Sequence, residues 1–168
     1  IFVGLLVLVF TVVKLSLSGF GPQHGLLARY YNNSNLEGPP AVERIDKRID
    51  FIWNVSTPHP KITSQEFSAR WEGELRIENS GTYIFDILSD EGVRLFLDDK
   101  VIIDTWSDQE RTMENSSAQV ELTKGWHKIK LEYFFNQQFA DIQLLWSGDS
   151  FKKRLVRSKF LYPLAGRK

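Results

Sequence analysis

The turns of the stretch YIFDILSDEGVRLFLDDKVIIDTW, residues 83–106, carry five carboxylates: Asp90, Glu91, Asp98, Asp99 and Asp104. Oxygen ligands packed into a turn are what a hard cation such as calcium takes. Acidic turns are also common for a plainer reason, because Asp bonds to its own backbone and tolerates unusual dihedral angles. For Asp90-Glu91 both readings stay open. Asp98-Asp99 reads as a hairpin tip, and Asp104, beside Trp106, reads as a structural hydrogen-bond acceptor. Glycosidase chemistry needs two carboxyls facing each other across a cleft. Adjacent Asp90 and Glu91 point to opposite sides of an extended chain.

Other catalytic arrangements are missing from the sequence. His24, His59 and His127 lie far apart in no metal-binding spacing, and there is no Gly-x-Ser-x-Gly elbow or phosphate-binding glycine loop. Cysteine is absent, which excludes disulfides, thiolate metal sites and a cysteine nucleophile. With 21 basic and 21 acidic residues the chain has no net charge, so it offers no electrostatic footprint for nucleic acid. The chain is expected to be non-catalytic.

The elements that must carry the turns are short strands. Phe67, Ala69 and Trp71 alternate with Ser68, Arg70 and Glu72. The same period runs through Leu75 and Ile77, through Tyr83, Phe85 and Ile87, and through Val93, Leu95 and Leu97. It continues in Val120 and Leu122, in Ile129, Leu131 and Tyr133, and in Ala140, Ile142, Leu144 and Trp146. Alternation of period two marks strands with one buried face. Asn79-Ser80-Gly81, Asp90-Glu91-Gly92, Asp98-Asp99-Lys100 and Lys124-Gly125 separate the runs as turns. The pattern predicts an all-β, antiparallel barrel or sandwich over residues 25–163. Trp53, Trp71, Trp126 and Trp146 are expected in its core, Tyr30 and Tyr31 in first-strand packing. The basic tail FKKRLVRSKFLYP reads as a solvated or loosely packed arm, or as a patch for anionic membrane or acidic glycan.

Residues 1–20 differ from the rest. IFVGLLVLVFTVVKLSLSG is predominantly apolar and carries one charge, Lys14. Thirteen residues to Val13 fall short of the ~20 that cross a bilayer. Because the chain begins at Ile1, the segment is expected to be the end of a longer transmembrane helix. The apolar part of a signal peptide and a buried element of the domain are the alternatives. Either leading option ties the domain to a membrane, facing away from the cytoplasm. Asn32-Asn33-Ser34, Asn54-Val55-Ser56 and Asn115-Ser116-Ser117 match the glycosylation pattern, which matters only in a eukaryotic source.

Six blocks occur in order: GLLARYYNNSNLEGPP, RIDFIW, FSARWEGELRIENSGTYIF, SDEGVRLFLDDKVIIDTW, GWHKIKLEYF and IQLLW. Together, from about Gly25 to Trp146, they resemble the protective-antigen domain family, a β-barrel module of toxins, adhesins and glycosidases. The resemblance implies a non-catalytic module that binds a glycan or polysaccharide. In lectin-like members, two consecutive aspartates in the turn matching Ser89–Gly92 hold calcium, the ion grips sugar hydroxyls, and an asparagine from a later loop completes the site. Asp90 matches the first aspartate, Glu91 replaces the second, and Asn136 in FFNQQFAD is the candidate asparagine. The implied metal ligands are therefore Asp90, Glu91 and Asn136, with Trp106 near the same rim as a stacking platform. A larger glycan-handling membrane protein, such as a glycosyltransferase, is the expected parent. The alternative is a structural or protein-interaction domain in which Glu91 records the loss of the ion site.

Overall fold

The computed structural model describes residues 23–53, 56–64, 66–106, 114–136 and 140–164. Its strands are β1 (Leu26–Tyr31), β2 (Val42–Asp46), β3 (Asp50–Ile52), β4 (Phe67–Ile77), β5 (Gly81–Ser89), β6 (Val93–Leu97), β7 (Lys100–Asp104), β8 (Glu114–Leu122), β9 (Gly125–Phe135), β10 (Asp141–Gly148), β11 (Phe151–Leu155) and β12 (Leu161–Tyr162). A 3-10 turn at Ser158–Phe160 precedes β12.

Every pairing among them is antiparallel, and they form two sheets. The larger runs β2-β1-β4-β9-β6-β7, with β12 on β4 in line with β1. Gly25 N–H donates to Leu161 O at 2.8 Å where β1 and β12 meet. The smaller sheet runs β11-β10-β5-β8, with β3 also on β10. Among the described residues no ladder joins the sheets. Of the two expected architectures the sandwich is correct and the closed barrel is not, because β8 leaves its neighbour in sequence, β7, and pairs with β5 instead.

The alternating residues fill the space between the sheets. Phe67, Ala69, Trp71, Leu75 and Ile77 are buried on β4, Leu95 and Leu97 on β6, Ile129, Leu131 and Tyr133 on β9, and Ile142, Leu144 and Trp146 on β10. At Asp46 the polar atoms that enter this core pair with one another, whereas Trp146 Nε1 is buried without a partner. The Tyr30 hydroxyl and Trp71 Nε1 both donate to Asp46 Oδ2, at 2.5 and 2.9 Å, and Arg44 Nε donates to Asp46 Oδ1 at 2.7 Å. Buried Tyr and Trp need such partners.

Two expectations are corrected here. The basic tail is a packed element: Lys152, Lys153 and Arg154 ride on β11, while Val156, Phe160 and Leu161 are buried. Phe151 and Phe160 stand 5.1 and 4.9 Å from the Trp146 ring, which explains why the segment docks. Trp53, Trp71 and Trp146 are buried as expected, but Trp126 is 39% exposed. It falls on even-numbered phase in β9, opposite to the inward Ile129, Leu131 and Tyr133.

The expected membrane segment, residues 1–20, lies outside the described residues. Among those described, no helix is long and apolar enough to cross a membrane.

Candidate functional site

The turn Asp90-Glu91-Gly92 links β5 to β6 across the two sheets. Ser89 shapes it: its Oγ accepts the Glu91 N–H at 3.2 Å and donates to Glu91 O at 3.0 Å. Gly92 is needed for close approach. A Cβ there would overlap the Phe134 ring and fall 2.9 Å from Thr105 O. Glycine alone lets the turn lie flat on β9.

This places both turn carboxylates against the end of β9 and the start of β10. Asp90 Oδ1 accepts the Asp141 backbone N–H at 3.1 Å, with the Tyr133 hydroxyl at 3.5 Å. Glu91 is 8% exposed, and the Asn136 backbone N–H lies near enough to its carboxylate to favour the charged form. The structure therefore brings Asp90, Glu91 and Asn136 together, though the contact shown by Asn136 is through its main chain. Asp141 is the residue the sequence reading missed. Its Oδ1 is buried without a hydrogen-bond partner.

Burial is the main electrostatic cause throughout this cluster. It raises the Asp90 carboxyl above the usual range, opposed by the Asp141 backbone N–H and, to a smaller degree, reinforced by the Asp141 charge. It pushes Glu91 up to about 7, opposed by the Asn136 N–H and reinforced by Asp90. It raises Asp141 too. The Tyr133 phenol is held well above its ordinary value by burial and then by Asp90, Glu91 and Asp141. Asp90 thus neighbours both Glu91 and Asp141, and no described basic side chain is bonded to any of the three. A hard cation would relieve this repulsion through oxygen ligands, and the orphaned Asp141 Oδ1 is an available donor. Among the described residues, however, no three acidic or histidine side chains are already gathered around one point.

Trp106 stands at the same end of the larger sheet. Its backbone N–H donates to Asp104 Oδ1 at 3.1 Å, the structural role expected of Asp104. Arg94 lies over its ring, 4.1 Å from the centroid, and Phe134 meets it at 5.0 Å. Arg94 is in turn held by Glu132, whose Oε2 accepts from Arg94 Nε at 2.8 Å while its Oε1 accepts from Arg70 Nε at 2.9 Å. Trp106 is thus a partly covered platform. Asp98 and Asp99 occupy a two-residue hairpin with φ of 48° and 65°, as expected of a tip.

Two antiparallel sheets with an oxygen-lined turn at one end define a β-sandwich module. The PA14 domain model matches residues 22–159, and the chain belongs to the PA14 domain family. Over 146 residues it is 37% identical to the anti-sigma-I factor RsgI3 of Acetivibrio thermocellus, covering 87% of this chain and 22% of that protein. A solved anti-sigma factor domain-containing protein superposes with a TM-score of 0.80 at 35% identity, over 88% of this chain and 50% of that one. The PA14 sugar-binding domain from an RTX adhesin superposes with a TM-score of 0.69 at 14% identity, over 83% and 98%, a likeness of fold. The chain spans about a fifth of the curated relative and half of the first solved one.

Proposed function

We propose that the chain is a non-catalytic carbohydrate-recognition module, assisted by calcium, with Asp90, Glu91 and Asn136 around the ion and Trp106 beside it. Asp141 joins them as a fourth oxygen donor. The observation that carries this reading is a half-buried acidic turn, Asp90-Glu91, whose Asp90 lies beside Asp141 with Asp141 Oδ1 lacking a partner. Asp90, Glu91, Asn136 and Asp141 would hold the ion, which when bound would supply positive charge to the turn and Lewis-acid contacts for sugar hydroxyls. The chain's own contribution is to hold the acids close: Ser89 fixes the turn, Asp90 is anchored on Asp141 N–H, and Gly92 seats it against Phe134. The sugar-binding PA14 domain of the adhesin supports the ligand class through likeness of fold.

The parent chain is proposed to be membrane-tethered through residues 1–20, with this domain on the extracytoplasmic side. Its likeness to anti-sigma factors supports a regulatory parent, in which an external glycan is reported inward, over the glycosyltransferase that the sequence alone suggests.

A second reading is a structural or protein-interaction domain. It is favoured by Glu91, whose carboxylate is buried near the Asn136 N–H, and by Arg94 lying over Trp106. A glycan array probed in millimolar calcium and again in chelator separates the two. Calcium-dependent binding supports the first reading; no binding in either condition rejects it in favour of the second.

A further inference from the structure

The chain enters β1 through Gln23 and His24, and these two residues, with Ile45, Lys47 and Ser158, line a groove of about 390 Å³. Clefts that take small ligands run from roughly 300 to 1,000 Å³. Its lining is mostly polar. The His24 ring packs on Tyr162 with centroids 4.6 Å apart, and His24 Nδ1 is buried without a hydrogen-bond partner. Among the described residues no acidic side chain lines the groove.

Cations surround it. Lys47 is exposed, and so are Arg157 and Lys159 on either side of Ser158. Among the described residues none of these three forms an ion pair. Arg48 pairs with Asp50 at 3.2 Å, yet its side chain stays 63% exposed. The other acid of that segment, Asp46, is buried and already bonded to Tyr30, Trp71 and Arg44. On a chain with no net charge, this corner is locally positive. Packing accounts for the apolar residues of the C-terminal segment but not for Arg157 and Lys159.

We propose, resting on the membrane tether assigned above to residues 1–20, that this corner seats the phosphate of an anionic phospholipid headgroup. From residue 20 to Gln23 is at most ~11 Å of extended chain. The headgroup layer is roughly 5–8 Å deep on each side of the hydrocarbon, so the groove is held within reach of the phosphates. Phosphate oxygens accept from the Lys47 ammonium, the Ser158 hydroxyl and the Gln23 amide. Each cation near an anionic surface strengthens the hold roughly fivefold. Seating the groove also aims the acidic turn. β1 runs from the groove to Tyr31, which pairs with Ser68 beside the Phe67–Phe135 end of the β4–β9 ladder. The strand's length, about 20 Å at ~3.3 Å per residue, thus separates the headgroups from the end where Asp90 and Glu91 lie. The docked domain holds that turn on the side away from the bilayer, open to an external ligand.

The full 168-residue chain is reconstituted into vesicles of phosphatidylcholine alone and of phosphatidylcholine with phosphatidylglycerol, neither of which carries a primary amine. Acetylation of each lysine is timed by mass spectrometry. Lys61 is the internal reference, because its carbonyl accepts from Asn32, just past the far end of β1. Lys47 is expected to react roughly fivefold more slowly in the phosphatidylglycerol vesicles, with Lys61 unchanged, and ~0.5 M salt should remove the difference. The double variant Arg157→Gln, Lys159→Gln, altered only at exposed positions, should melt like wild type in detergent and lose most of the protection of Lys47. Equal rates at Lys47 in the two vesicles, or protection that neither salt nor the double variant reduces, would overturn the proposal. So would equal protection by inorganic phosphate or by heparin in plain phosphatidylcholine vesicles, which would make the groove a site for a free anion or an acidic glycan. Flotation after a carbonate wash keeps the tether separate. A chain that floats with neither vesicle overturns the tether and this site with it; one that floats with both but shows no difference at Lys47 overturns the site alone.

Discussion

Asp90 Oδ1 accepts the Asp141 backbone N–H at 3.1 Å, tying the β5–β6 turn to a strand that begins 51 residues later. The same carboxylate is the proposed calcium ligand, so its two roles can be pulled apart. Asp90→Ala removes both: it leaves a buried N–H without an acceptor, at a cost of about 1–3 kcal/mol, and it removes the ion site. Asp90→Asn keeps the acceptor and removes the charge. In chelator it is expected to melt at or above the wild-type temperature, because Glu91 and Asp141 lose a like-charged neighbour. In calcium the wild type gains RT ln(1 + [L]/Kd), about 2.7 kcal/mol at a hundredfold excess over Kd, and neither variant does. Thermal melts in millimolar calcium and in chelator measure all of this. A wild type that melts at one temperature in both would show that the turn holds no ion.

Glu132 is 2% exposed and sits between two guanidiniums, with Arg70 and Arg94 bonded to its two oxygens at 2.9 and 2.8 Å. Removing one partner of a buried pair typically costs about 3–5 kcal/mol. Both arginines are partly exposed and can turn to water, so Glu132→Ala is expected to cost less, about 2–3 kcal/mol, in denaturant unfolding. Glu132→Gln, which keeps an acceptor oxygen, is expected to lose roughly half as much. Equal losses in the two variants would show that shape, not hydrogen bonding, is what Glu132 supplies.

Most of the sandwich is legible in the sequence because its strands are long enough to show their period. In β9 that period even places Trp126 outward, in phase with Lys128 and Lys130, against the expectation that its apolar bulk belongs to the core. Whether the strands close into a barrel is not legible. Closure depends on which edges meet, and no residue of β7 or β8 announces that they part into different sheets. β12 has two residues, too few for any period, so Leu161 and Tyr162 passed for tail. In the site, Asp90 and Glu91 were visible as a charged pair inside a turn. Asp141 was not, since an aspartate opening a strand is ordinary until the fold sets it beside Asp90.

Gly92 tests whether the turn must lie flat. The space for its Cβ is taken by the Phe134 ring and Thr105 O, and Phe134 also packs on Trp106 at 5.0 Å. Gly92→Ala is expected to cost about 1–3 kcal/mol through overpacking, and to displace the turn enough to diminish any calcium-dependent gain in melting temperature. Gly38→Ala is the comparison in which space is not the issue, because nothing lies within 4 Å of a Cβ there. Its φ of 72° is a strain that alanine feels without touching the site, so the calcium-dependent gain should survive.

His127 gives the fold a dependence on pH. Its Nδ1 is 2.6 Å from Asp98 Oδ2 and its Nε2 is 2.8 Å from Thr123 O. Both partners only accept, so both ring nitrogens carry hydrogen in this arrangement and the ring is an imidazolium. Burial by itself lowers its affinity for the proton, but the bonds to Asp98 and Thr123 outweigh that and leave it raised. Nearby Lys128 and Asp99 pair with each other at 2.8 Å and largely cancel. A histidine raised on folding stabilises fully below its unfolded value, ~6.5, and that contribution is lost as pH rises through the folded value. Asp98→Asn removes the partner charge, and asparagine suits the positive φ of the tip. The melting temperature of wild type should therefore exceed that of Asp98→Asn most at pH 5.5, and the gap should narrow steadily toward pH 9. A gap that stays constant, or widens as pH rises, would show that His127 is neutral in the folded chain.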